Sequence, residues 1–320
     1  MKKSYYCPKL EKTLRFLPDK IQYCCACAEG LSTKIEDFKN ITLKQIEEKR
    51  QEYIKELKEG IIPSQCTGCL DIKERTEEKE NFFQKLFKKK EKISYIIFDH
   101  YKQCDCNCIY CAQKVIYPDT TQNYEVLPFI KELYKKQTLS KKDLVIEFQG
   151  GNISMLEEFE QLMEEFEKHK LKEIHFLTNG IKYMQTIEKI AEKNKTYVCI
   201  SLDAGTQETF KTIKNVDKFI QTTENIRKLT DNPNINLKLK YILVKGINDN
   251  KEEIGKFLEF AKSLSKTDSI MFEIDYRDIL MSEKKELPIH YSELIEYAEN
   301  YCNENNLVFW MSDFSKSYLK

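Results

Sequence analysis

The 320-residue chain has no net charge, no long apolar run and no internal repeat of solenoid period. Its 52 basic and 52 acidic residues cancel, which weakens any case for nonspecific nucleic-acid binding through a basic surface, though a local basic patch stays compatible with the totals. No apolar stretch approaches the roughly 18 residues that a membrane span needs, and no leading apolar segment marks a secretory signal. The expected location is therefore the cytoplasm, with no membrane partner and nucleic acid disfavoured. A chain of this length can bury one large core and a small satellite.

Cysteine, by contrast, is plentiful. Twelve cysteines without a leader point to metal ligation in a reducing compartment rather than to disulfides. Cys104, Cys108 and Cys111, in the stretch QCDCNCIYC, offer three thiolates to a cluster that takes four. Iron–sulfur clusters of the 4Fe–4S type normally use four cysteines, one per iron. A tight Cys-x3-Cys-x2-Cys loop wraps three corners and leaves one iron open, and an open metal position marks catalysis rather than structure, as the zinc case shows. The same loop holds Cys106, which offers a fourth thiolate and keeps zinc as the rival metal. The close spacing of Cys104 and Cys106 suits the usual zinc knuckle poorly.

Around this loop, short strands rich in Ile, Val, Phe and Tyr alternate with amphipathic helices, the pattern of parallel βα units. Strands are expected over 93–99, 144–148, 173–177, 197–202, 236–244 and 270–274. Helices are expected over 123–136, 154–170, 185–193, within 207–229, and over 251–264 and 291–303. Ser154 with Glu157 predicts a capping box for the second of these helices. Six units are too few for a closed eight-fold barrel.

The cysteine spacing, with Tyr110 before the last cysteine, resembles the radical S-adenosylmethionine (SAM) enzymes. The resemblance covers about residues 93–280 and implies an α/β fold, a partial (β/α)6 barrel open on one side. It also implies a 4Fe–4S cluster on Cys104, Cys108 and Cys111 whose open iron binds the amino and carboxylate groups of SAM. Parallel barrels carry their chemistry on loops at the C-terminal ends of strands, and each further motif falls there. Gln149-Gly150-Gly151-Asn152 resembles the family's Gly-Gly-Glu motif, with Asn152 where Glu is usual. The backbone of Gly150 and Gly151 is therefore expected to matter more than the Asn152 side chain. Ile200-Ser201-Leu202-Asp203-Ala204 is similar to the Ser-Leu-Asp-Ala signature. The resemblance places Ser201 and Asp203 on SAM, whereas their residue types equally suit capping of the helix from Thr206 onward. Lys240, on the fifth strand, either pairs with the SAM carboxylate or is solvated. Thr178-Asn179-Gly180 is a further family-like turn, and Asn-Gly marks turns anywhere.

Residues 1–92 have a different texture and contain six of the twelve cysteines. Cys7, Cys24 and the pair Cys66 and Cys69 look like half of the auxiliary-cluster module called SPASM, or its smaller Twitch form. Cys25 is an alternative to Cys24, since neighbours on a strand face opposite ways. The resemblance implies a second 4Fe–4S cluster here. A zinc ribbon uses the same four thiolates equally well. The module normally follows the barrel, whereas here it precedes it. The expected domains are thus 1–92, cysteine-rich module and linker, and 93–320, radical SAM core. The helix after Thr42, with a Thr42/Gln45 capping box and Gly60 past its end, reads as a solvated surface helix. Phe82, Phe83, Leu86 and Phe87 form one apolar cluster in the linker, followed by the basic run Lys88 to Lys90.

These readings imply an oxidoreductase that cleaves SAM reductively and abstracts hydrogen from a substrate C–H bond, leading to oxidation, a cross-link or epimerisation. The substrate would be a peptide, a protein or a sugar-like small molecule. No winged helix for precursor recognition is legible at the N-terminus, which tilts the expectation toward a small molecule, a sugar or a protein lacking such a leader. The electron would come from an external donor such as flavodoxin or ferredoxin. Asp275 or Tyr276, within Asp275-Tyr276-Arg277-Asp278, is a candidate for proton exchange. The main alternative is a non-catalytic carrier with two clusters, and a nucleic-acid-modifying enzyme is disfavoured by the charge balance. Cys199 and Cys302 read as buried bystanders.

Overall fold

The structure, a computed structural model, describes residues 3–24, 30–35, 42–69, 71–75, 92–117, 124–275, 277 and 289–319. Cys25, Tyr276, Asp278, the Phe82–Phe87 cluster and the basic run after it lie outside the described residues. The chain divides into two compact units: 1–102 with 120–148 and 164–172, and 103–119 with 149–163 and 173–320.

In the first unit, Tyr5–Tyr6 (β1) pairs antiparallel with Lys73–Glu74 (β5). Thr13–Phe16 (β2), Lys20–Gln22 (β3) and Ser32–Lys34 (β4) form an antiparallel meander. Pro18 and Asp19 make its first turn, closed by Leu17 N–H donating to Lys20 C=O at 2.9 Å. Tyr95–Phe98 (β6) and Val145–Phe148 (β7) pair in parallel, and β2 adds to the far side of β6, also in parallel. The N-terminal cysteine-rich segment thus contributes a strand to the same unit as β6, where the expected boundary at residue 92 would have separated them. Apolar matching explains the addition: Phe16 stacks on Phe98 with centroids 5.6 Å apart, and Phe98 on Phe148 at 4.8 Å.

The helix Leu43–Lys58 starts on the expected capping box, with Gln45 N–H donating to Thr42 Oγ1 and Thr42 N–H to Gln45 Oε1. It ends before Gly60, whose φ is +82°. The expectation of a solvated helix is corrected. Leu43, Ile46, Ile54 and Leu57 recur at helical spacing and are all buried, with Arg50 among them. The Arg50 guanidinium donates to Thr13 C=O at 3.1 Å and lies 5.4 Å from the Tyr23 ring centroid. A planar cation can sit in this stripe because a carbonyl and an aromatic face replace its water.

The second unit carries five parallel strands in the order β12-β11-β10-β9-β8: Glu173–Thr178 (β8), Lys195–Ser201 (β9), Ile235–Leu243 (β10), Ser269–Ile274 (β11) and Phe309–Met311 (β12). The helices Gln185–Ala191, Gln207–Lys214, Phe219–Thr230, Lys251–Lys262 and Ile289–Glu304 fall between them in sequence. This is the expected α/β class with parallel strands. β2 and β12 are parallel strands that the sequence did not announce. Burial alternates along β8 and β10, one face packing on helices, as Tyr241 does on Phe257 at 4.8 Å. The opposite face stays half-exposed and carries His175, Tyr197, Ser201, Lys238 and Lys240. The expected helix 154–170 is also corrected: a 3₁₀ turn, Ile153–Met155, precedes a shorter helix, Phe159–Glu167. Ser154 is not its cap, because its hydroxyl accepts from Asn152 Nδ2 at 2.8 Å.

Candidate functional site

All parts of the candidate site belong to the second unit. The cysteine loop brings Cys104, Asp105 and Cys106 together, with their donor atoms within 4.8 Å of one another. Among the described residues, no other three metal-capable groups gather so closely. Cys104 is exposed, Cys106 buried, and Cys108 and Cys111 half-buried. Hydrogen bonding from the Cys106 thiol, opposed by burial, lowers Cys104 below the ordinary thiol range. The same bond lowers Cys108 to about 6, with burial opposing and the Lys214 ammonium assisting. Cys106 is raised, because its proton serves both neighbours and it is itself buried. The loop therefore holds two thiols lowered toward ionisation beside one that is raised. Sulfur donors already inclined to ionise fit an iron–sulfur cluster. Cys111 stands at the start of the short helix Ala112–Ile116, its N–H donating to Cys108 C=O at 3.2 Å.

The Gly-Gly-Asn segment meets this loop directly. Gly150 has φ +92°, a conformation that a side chain would strain. Asn152 N–H donates to Gln103 C=O at 2.8 Å. The Asn152 side chain, 1% exposed, is fully engaged. Its Nδ2 donates to Asp105 Oδ1 at 2.9 Å and to Ser154, and its Oδ1 accepts from the Thr178 hydroxyl at 2.7 Å. Asn179 Nδ2 adds bonds to Asp105 Oδ1 at 2.6 Å and to Cys106 Sγ at 3.2 Å. Asn152 is thus a brace between three strand-end loops, with no side-chain valence turned to a ligand. Asp105, its partner, carried no distinguishing signal in the sequence.

Asp203 is also committed. It is fully buried with φ +58°, and one carboxylate oxygen accepts from both the Tyr110 hydroxyl and the Lys214 ammonium. The other accepts from Ile242 N–H at 2.8 Å. It does not cap the following helix, whose N-cap is Thr206, with Thr209 N–H donating to the Thr206 hydroxyl at 3.3 Å. Tyr110, pushed far up by burial and then by Asp203, has its hydroxyl in this same cluster. Ser201 and Lys240 are register partners on the half-exposed face, Lys240 next to Met271 and Met271 next to Trp310. This cross-strand row reaches the uncovered surface, with Trp310 45% exposed. Lys214 was missed by the sequence reading, and its signal was available: a lysine on the stripe of Phe210 and Ile213 that buries this helix. Asp275 is buried and paired with Arg277, whose Nε lies 2.9 and 3.0 Å from its two oxygens. It is therefore an ion-pair partner rather than a free base.

The four expected auxiliary ligands belong to the first unit. Cys66 and Cys69 bracket a turn in which Gly68 has φ +77° and Cys69 N–H donates to Cys66 C=O at 3.1 Å. Cys7 is buried at the start of the helix Pro8–Lys12, where burial raises its thiol against opposing backbone hydrogen bonds from Leu10 and Lys9. Cys24 accepts from Gln22 Nε2 at 3.4 Å. Neither these four sulfurs nor those of Cys104, Cys108 and Cys111 gather within 4.8 Å of one another.

Parallel strands, a cysteine-rich loop and a glycine-opened turn bonded to that loop define an α/β protein with a candidate metal site. The radical SAM superfamily profile matches residues 98–261, about half of the chain, and the chain belongs to that superfamily. Among curated relatives, GTP 3',8-cyclase of Listeria monocytogenes is 26% identical over 176 residues, 52% of this chain and 50% of its own. Molybdenum cofactor biosynthesis protein 1 of Dictyostelium discoideum is 26% identical over 211 residues, 63% of this chain and 32% of its own. The chain spans about half the length, or less, of these curated relatives. Streptococcus suis SuiB bound to S-adenosylmethionine has the same fold, with a TM-score of 0.54 at 15% identity over 85% of this chain and 57% of SuiB. Among the described residues no helix is long and apolar enough to cross a membrane.

Proposed function

We propose that the protein cleaves SAM reductively and removes a hydrogen atom from a substrate C–H bond. The observation that carries this reading is the loop of Cys104, Cys108 and Cys111, with two thiols lowered toward ionisation beside a Gly-Gly turn. Those three residues would hold a 4Fe–4S cluster, which when bound supplies the electron that cleaves the sulfonium and releases a 5′-deoxyadenosyl radical. The chain's own residues position the partners. The Gly150-Gly151 backbone and the Ser201 and Lys240 side chains receive SAM, Lys240 as a cation for its carboxylate. Tyr110, Asn152 and Asp203 hold the loop. The reductant is an external protein such as flavodoxin or ferredoxin.

The half-exposed face, with Lys238, Lys240 and Trp310, suits a substrate that combines an anionic group with a ring. The curated relatives named for GTP 3',8-cyclase make GTP the first compound to assay, ahead of sugar-like molecules and peptides. A second 4Fe–4S cluster on Cys7, Cys24, Cys66 and Cys69 remains a proposal from their order in the sequence, and no step is routed through it. Anaerobic reconstitution, reduction and chromatography of the products test the reading. 5′-Deoxyadenosine and methionine are expected, with 5′-deoxyadenosine rising when the true substrate is added. A fully loaded, reduced protein that yields neither product would make it an electron carrier instead.

A further inference from the structure

We propose that Cys104, Asp105 and Cys106 form a mononuclear zinc site, exclusive of the cluster because Cys104 serves both. The exclusion rests on reading the loop as the cluster site; the zinc site itself does not. The family's cysteine spacing leaves Cys106 without a role, since it stands between the first two cysteines of the motif. Yet the donor atoms that gather within 4.8 Å of one another are those of Cys104, Asp105 and Cys106. Two thiolates and a carboxylate are a donor set that zinc takes, with Zn–S about 2.3 Å and Zn–O about 2.1 Å. At tetrahedral angles such ligands stand about 3.6–3.8 Å apart, so a contraction of about 1 Å at most completes the site.

The surrounding hydrogen bonds support these three groups as ligands. Asn152 Nδ2 donates to Asp105 Oδ1 at 2.9 Å and Asn179 Nδ2 to the same oxygen at 2.6 Å. Both amides fall on one oxygen, which leaves Oδ2 for an ion. Asn179 Nδ2 also lies 3.2 Å from Cys106 Sγ and 3.8 Å from Cys104 Sγ, and Cys106 N–H donates to Cys104 Sγ at 3.4 Å. Donors of this kind, on both sulfurs and on the carboxylate, are the outer contacts that orient metal ligands. The two asparagines are 1% and 8% exposed, so packing fixes them in place. Bracing the turn does not by itself ask for a thiol at position 106, because sulfur is a weak acceptor. Cys104 is exposed, which gives the ion a way in and leaves its fourth position to water. Cys108 and Cys111 lie outside this set. A cluster would draw on them together with Cys104, so the loop holds one metal or the other.

The test is zinc competition against a chromophoric chelator, with the full chain made metal-free under anaerobic, reducing conditions. Cys106→Ser and Asp105→Asn should each weaken the loop's zinc about 100-fold, and Asn179→Ala about tenfold. Cys108→Ser and Cys111→Ser should stay within about threefold of wild type, since neither sulfur belongs to the set. Zinc on the N-terminal cysteines does not respond to these changes and drops out of the comparison. Asp105→Asn keeps an oxygen for both amides, so it decides the matter if circular dichroism shows that Cys106→Ser does not fold. Equal affinities for wild type and Asp105→Asn, or a loss in Cys108→Ser as large as in Cys106→Ser, overturn the proposal. Protein already carrying its 4Fe–4S cluster should take no zinc at the loop, and zinc uptake there with iron retained overturns the exclusion. If wild type forms no 4Fe–4S cluster, the functional reading fails and the exclusion with it, while the competition in metal-free protein still decides the zinc site.

Discussion

Asn152 offers the sharpest test of how the site is braced. Its side chain makes two strong neutral hydrogen bonds, to Thr178 and Ser154, and one to the Asp105 carboxylate. At about 1 kcal/mol for each neutral bond and about 2 for the charged one, Asn152→Ala should cost about 4 kcal/mol. That is a large share of the roughly 5–15 kcal/mol that holds an ordinary domain. Asn152→Asp keeps the acceptor for Thr178 but replaces the donor facing Asp105 with a second carboxylate. Two such charges about 4 Å apart repel by about 4 kcal/mol at an effective dielectric near 20. One of the two carboxyls then takes a proton more readily than a lone one. Asn152→Asp should therefore be about as damaging as Asn152→Ala at pH 8 and markedly less so at pH 5. Equilibrium urea unfolding of the metal-free protein at both pH values measures this. An Asn152→Asp protein within about 1 kcal/mol of wild type at pH 8 would refute the brace.

Other outcomes follow from the same geometry. In metal-free protein, Cys108 should alkylate with a midpoint near pH 6, slowing as the pH falls below it, while Cys106 stays unreactive at pH 8; peptide mapping by mass spectrometry reads both. Gly205→Ala places a methyl 2.3 Å from Glu253 C=O and 2.9 Å from Phe257 N, so backbone must move and about 2 kcal/mol of stability should be lost in thermal unfolding. Thr42→Ala removes the capping box of the helix Leu43–Lys58 and should cost about 1 kcal/mol, with Thr42→Asp largely restoring it. Arg50→Met strips the donor from the Glu11 and Thr13 carbonyls and the partner from Glu47 at 3.8 Å, and should cost about 3 kcal/mol in urea unfolding followed by circular dichroism; a loss below about 1 kcal/mol would show that packing alone holds this position.

The comparison of pattern with structure divides along the reach of the interactions. Period-two burial in β8 and β10, the Thr42/Gln45 box and the glycine after it were legible because each depends on residues a few positions apart. The two errors about helices have local causes too. Ser154 looked like a cap, but Asn152, two residues earlier, claimed its hydroxyl. The charges of the helix Leu43–Lys58 hid a thin apolar stripe that four residues suffice to make. β2 and β12 are short, and short apolar runs gain strand identity only from a partner already in place.

Alone, the sequence determined the superfamily, because its signature needs a particular set of sulfurs at a particular spacing and Cys104 to Cys111 writes that set in eight consecutive residues. It also determined the alternation of strand and helix, since each element's apolar face repeats within its own length. Only the tertiary structure decided which polar side chains are available. Asp203 and Tyr110 are 93 residues apart in sequence, Asn152 and Thr178 26 apart, and each is committed to a buried bond inside the protein. A buried polar group must find a partner wherever the chain brings one, and no local pattern records who that partner is.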